Sequence, residues 1–136
     1  MIGFFIKIIQ ILLKKINDRY PINGDLAGQK YPLHKLPEDL QVKYPNSVMI
    51  DERGFIRFEP YGISVIRSKE LIGDHDKDFQ LADEISGYKT RPEEYTWHHV
   101  EDGETMVLVP KDLHKAIRHT GGAAIIRAKK GGGNGK

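Results

Sequence analysis

The chain has 136 residues, 39% hydrophobic and 29% charged, which is one domain's length with a modest core and calls for no multidomain reading. It contains no cysteine, which excludes disulfides and thiolate metal sites and leaves histidine and carboxylate as possible metal ligands. Net charge is only +2, but seven basic residues (Lys111, Lys115, Arg118, Arg127, Lys129, Lys130 and Lys136) against Asp112 make the segment from residue 111 onward locally +6, which suits a polyanion.

In chain order, residues 2–17 place Gly3, Lys7, Gln10, Lys14 and Asn17 at alternating spacings of four and three, one narrow polar stripe on an otherwise apolar helix. The segment falls short of the ~20 apolar residues that a membrane span needs. Docking on the domain or on a partner is the first reading, with membrane-surface contact behind it. Residues 1–20 are therefore set apart from the domain that follows, residues 21–130, and from a flexible glycine-rich tail at 131–136.

From Asn17 to Leu36 the abundance of Pro, Gly, Asn and Asp predicts an irregular linker. Pro37-Glu38-Asp39 opens a short helix that Pro45 ends, because a proline disfavours helical geometry at the residue before it. Ser47–Ile50 and Phe55–Phe58 flank Asp51-Glu52-Arg53-Gly54 as a hairpin, and Ile63–Ile66 can add a strand. Tyr31, Tyr44 and Tyr61 read as packing residues. Residues 74–86 predict a helix capped by Asp74 or Asp76 and closed by Gly87, burying Phe79, Leu81, Ala82 and Ile85. Asp78 within it reads as a structural or supporting carboxylate, and His34 and His75 as solvated residues with no role.

Four of the six histidines lie between Tyr95 and Gly122. Tyr95–Val100 is aromatic and β-rich, Asp102-Gly103 allows a tight turn, and Thr105–Val109 returns antiparallel. Pro110 and Asp112 suit a first helical turn, Leu113 and Ile117 share a helix face, and Gly121-Gly122 stops the helix. The unit is thus a β-hairpin followed by a helix. Neighbouring strand residues point to opposite faces, so His98 and His99 take different jobs, one able to bind a metal while the other faces a substrate. His114 and His119 are separated by roughly 140° on an ideal helix, so both reach one ion only if His119 sits at the frayed helix end. Trp97 reads as an anchor beneath the hairpin ahead of a base-stacking platform. Ala123–Lys130 adds a last strand or a short helix.

The Trp97-His98-His99 triplet, the Leu108-Val109-Pro110 turn, His114 and His119-Thr120-Gly121-Gly122 resemble the WHH family of the HNH/endonuclease VII superfamily, the nuclease tips of bacterial polymorphic toxins. The Pro110-Lys111 and His114 spacing also resembles colicin DNases, although the two helix histidines here are five apart rather than four. The resemblance implies an α+β fold: a ββα-metal (His-Me finger) core at 95–122, preceded by a small irregular α/β region. It further implies a metal-dependent endonuclease, acting on DNA as a toxin delivered into a target bacterial cytoplasm and held inactive in its producer by an acidic immunity protein.

On that reading His99, neutral at pH 7, is the general base. His98 holds one divalent ion with His119 and His114, and Lys111, Lys115 or Arg118 contact flanking phosphates. Zinc, nickel, manganese and magnesium all suit such a site. The alternative is a non-catalytic, metal-stabilised nucleic-acid-binding module, in which His99 would have to close the site as a fourth ligand.

Overall fold

The computed structural model describes residue 15 and residues 20–131. The helix expected over residues 2–17 lies outside the described residues, as does the tail beyond Gly131. The chain divides into two compact units. One comprises the residues up to Phe58 with the short segment Lys115–Thr120, and the other comprises Glu59–His114 with Gly121 onward.

In the first unit, α1 (Glu38–Lys43) starts after Pro37 and stops at Tyr44, just before Pro45. The expected hairpin is present but short, β1 (Met49–Ile50) pairing antiparallel with β2 (Ile56–Arg57). Its turn is tied by Asp51, whose carboxylate accepts the backbone N–H groups of Arg53 and Phe55 at 2.8 and 3.0 Å and pairs with Arg57. The described part of the linker, residues 20–36, is a packed segment rather than a loose one. Tyr31 N–H donates to Val48 O, and Ile50 N–H donates to Gln29 O, both at 2.8 Å. It thus acts as an irregular strand beside β1, and its apolar and amide side chains Ala27, Leu36 and Asn23 are buried. Backbone donors that water would otherwise satisfy are met by the neighbouring strand, which proline and glycine counts cannot reveal.

In the second unit, β3 (Ser64–Arg67), β4 (Tyr95–His99) and β5 (Thr105–Pro110) form an antiparallel sheet in the order β3-β5-β4. The hairpin register pairs Trp97 with Leu108, His98 with Val107 and His99 with Met106. Met106–Val109 are all buried, as expected for a central strand with both faces covered. Helix α2 (His75–Ser86) begins at Asp74, whose carboxylate accepts Lys77 N–H at 3.0 Å, and ends at Gly87, with φ +80°. Its burial departs from expectation: Ala82 is buried as expected and Asp78 with it, Phe79 and Leu81 are only partly buried, and Ile85 is 51% exposed, so the last turn runs past the core. That core joins Ile66, Leu71, Ala82, Trp97, Met106, Leu108 and Ile126.

Helix α3 (Lys111–Ala116) is shorter than its sequence predicts, and residues 117–121 are not helical. Gly122 does not stop α3; it opens α4 (Gly122–Gly131), which takes in the stretch left open between strand and helix and the first residue of the expected tail. A Cβ at Gly122 would overlap the Val100 carbonyl and stand 2.8 Å from His99 O, so glycine is required there by the approach of α4 to the end of β4 rather than as a cap. Among the described residues, no helix is long and apolar enough to cross a membrane.

Candidate metal centre

Strand β4 sorts its side chains by alternation. Trp97 and His99 face α2, while His98 faces α3. Trp97 is 1% exposed, and its indole N–H donates to Asp83 Oδ1 at 2.8 Å. Arg91 grips the same carboxylate through Nε and Nη2 at 3.0 and 2.8 Å. Burial alone would raise the Asp83 pKa, but the hydrogen bonds from Arg91 and Trp97 hold it below the ordinary carboxylate value. Trp97 is therefore the anchor that its position in the hairpin suggests, pinned to α2 at both its apolar body and its polar edge.

On the opposite face, His98 Nδ1 and His114 Nε2 lie 3.2 Å apart, with the rings crossed at 68°. His98 is buried and comes from rigid sheet; His114 comes from the second turn of α3. His119 lies beyond the end of α3, the position its five-residue offset from His114 demands. Its Nδ1 is 2.7 Å from Ile117 O. A carbonyl can only accept, so Nδ1 carries the proton, and the lone pair of the neutral ring is on Nε2. Burial lowers the His119 pKa, and the Ile117 carbonyl offsets this only in part, so the ring is neutral near pH 7. Each of His98, His114 and His119 offers a ring nitrogen, and these lie within 4.8 Å of one another. Imidazole nitrogens so grouped can serve as a donor set for a divalent first-row metal.

His99 has different surroundings. It is 4% exposed, and its Nε2 is 2.8 Å from Asp78 Oδ2. Asp78 is itself 2% exposed and also accepts the backbone N–H groups of Ile72 and Gly73 at 3.0 and 2.8 Å. A carboxylate with two backbone donors acts as acceptor, so His99 donates from Nε2 and keeps its lone pair on Nδ1. Burial lowers the His99 pKa, outweighing the opposing pull of Asp78, while His75 and Arg127 add to the lowering. The ring is a neutral base with a fixed tautomer.

His75, expected to be a solvated bystander, is exposed but sets its ring edge against His99 at 5.5 Å and Phe79 at 5.7 Å. His34 is exposed, as expected. Lys111, Lys115 and Arg118 are all exposed, and Lys111 and Lys115 share one face of α3.

Residues 87–129 match the family described as a nuclease of the HNH/ENDO VII superfamily with conserved WHH. Over that segment the chain is similar to the WHH family. Its triplet is Trp97-His98-His99: the core anchor, the histidine that faces α3 and the histidine that faces α2. The WHH segment takes in β4, β5, α3 and most of α4, so the ββα order of an HNH-like core is complete within it. Asp78 and Asp83, which orient the side chains of His99 and Trp97, precede it on α2. The chain matches no curated protein.

Proposed function

We propose that this chain is a metal-dependent endonuclease that hydrolyses phosphodiester bonds, with DNA as its substrate. The observation that carries the reading is the WHH match coinciding with three histidine nitrogens grouped as metal donors. His98, His114 and His119 hold one divalent ion, whether Zn, Mg, Mn or Ni. When bound, it stabilises negative charge developing on the scissile phosphate and the departing oxygen.

The chain's own residues do the rest. His99 Nδ1 takes the proton of the attacking water, and Asp78 keeps the other nitrogen protonated and the ring in one orientation. The positive charge that forms on His99 is stabilised by the Asp78 carboxylate, so the dyad supports the base most when the proton has moved. Lys111, Lys115 and Arg118 contact flanking phosphates without reading bases, and the resulting affinity is sensitive to salt. The non-catalytic alternative needs His99 as a fourth ligand; its Nε2 is already engaged by Asp78, which favours the catalytic reading.

The same resemblance supports a biological role as a toxin that acts in the cytoplasm of a target bacterium and is blocked in its producer by an immunity protein. The basic segment after residue 110 makes an acidic inhibitor the natural partner, arriving quickly through electrostatic steering. Expression of the wild-type chain and of His99→Ala in a bacterium lacking any inhibitor tests this. Growth should stop with the wild type alone. Two equally harmless proteins at comparable soluble levels would overturn the toxin reading, and two equally toxic ones would move the harm away from the nuclease site.

A further inference from the structure

Residues 117–121 form no helix, yet His119 sits in the middle of them, so something other than α3 must fix its ring. Besides the local bond to Ile117 O, the contacts that do so come from a part of the chain that precedes the WHH segment. Asn23 Nδ2 donates to Arg118 O at 2.8 Å, and Ile22 N–H donates to Thr120 Oγ1 at 2.9 Å, bracketing His119 on both sides. The His119 ring lies edge-on to Phe58, 5.1 Å between centroids, and Phe58 is fully buried.

Asn23 is itself held rigidly. It is 8% exposed, its carbonyl accepts Leu26 N–H at 3.0 Å, and Gly24 N–H closes the turn onto Pro21 O at 2.9 Å. That turn packs so closely on Gly54 that a Cβ there would stand 2.9 Å from Gly24 Cα.

We infer that Asn23 is a positioning residue for the third metal ligand, fixing the loop that carries His119 from outside the family's own segment. The inference rests on the proposed reading of His119 as a ligand. An amide is suited to this task because its N–H₂ group donates to the Arg118 carbonyl without adding charge beside a cation. A loop left without this tie spreads over many conformations, and a ligand on it pays the ordering entropy each time an ion binds. Phe58 supplies the complementary constraint by limiting the ring's rotation.

The test is calorimetric titration of Zn²⁺ and of Ni²⁺ into the wild-type chain, Asn23→Ala, Asn23→Asp, His119→Ala and Leu40→Ala, with melting temperatures recorded on the metal-free proteins. Asn23→Asp keeps the shape but replaces the donor with an acceptor facing the Arg118 carbonyl. Leu40→Ala removes a buried side chain of α1 in the same unit. Both Asn23 variants should bind at least about tenfold more weakly, the scale expected for losing a group that orients a ligand. Leu40→Ala should lower the melting temperature and leave affinity at wild type. Wild-type affinity in both Asn23 variants, with His119→Ala weakened, overturns the inference and leaves the metal reading standing. Affinity that merely tracks melting temperature across the set, Leu40→Ala included, also overturns it. Wild-type affinity in His119→Ala, or no binding by the wild type, removes the ligand assignment itself and the inference with it.

Discussion

His99→Ala should abolish plasmid cleavage while leaving metal affinity nearly intact, whereas His98→Ala and His119→Ala should lose both. The difference follows from β4. His98 and His99 are adjacent in sequence but point to opposite faces, His98 to His114 and His99 to Asp78. Removing a general base costs about 10²–10⁴-fold in rate. Removing one of three imidazole donors instead weakens the ion's hold, and with it all chemistry that depends on the ion. Calorimetric metal titration beside a nicking assay on the same three variants checks this. Loss of metal binding in His99→Ala alone would reverse the assignment of base and ligand.

The second large effect should come from Asp78→Ala, with a loss of about 3 kcal/mol of stability or more, because each buried donor left without an acceptor costs about 1–3 kcal/mol. The carboxylate is 2% exposed and accepts from Ile72 N, Gly73 N and His99 Nε2, so its removal leaves three donors in a space that water scarcely reaches. Asp78→Asn keeps the volume and can still accept through one oxygen, so it should cost less stability than alanine. It should still slow cleavage, because the neutral amide no longer stabilises a protonated His99. Urea denaturation measures the first quantity and single-turnover cleavage the second. A loss under about 1 kcal/mol for Asp78→Ala, no more than an ordinary intramolecular hydrogen bond contributes, would mean that the carboxylate is not the keystone of this face.

The parts of the fold that were legible in the sequence are those whose cause is local. The Asp-Gly turn and the β-rich runs on both sides of it give the β4-β5 hairpin, and Asp74 with Gly87 brackets α2. Four clustered histidines indicated where the site lies, and alternation along β4 separated His98 from His99. What was not legible depends on tertiary approach. Gly122 reads as a helix stop from sequence, but the closeness of the Val100 carbonyl makes it a helix start. Ile85 has the spacing of a buried residue yet lies past the core, while Asp78 takes a buried place that hydrophobicity would deny it. The bonds from Asp78 to His99 and from Asn23 to Arg118 span 21 and 95 residues, and no periodic pattern connects such partners. The irregular course of the linker was legible but its packing was not, for the same reason: Val48 and Ile50 meet the backbone of Tyr31 and Gln29, and nothing in the segment's composition announces it.

The most direct test of the central claim is cleavage of supercoiled plasmid, with an RNA substrate in parallel, by the purified wild-type chain before chelation, after chelation, and after each of Zn²⁺, Ni²⁺, Mn²⁺ and Mg²⁺ is restored. Plasmid nicking that disappears with chelator, returns with at least one of the ions and stays absent in His98→Ala under every ion is the predicted result. Cleavage that persists in chelator, or that His98→Ala performs as well as the wild type, would contradict a histidine-held metal at the centre of the chemistry.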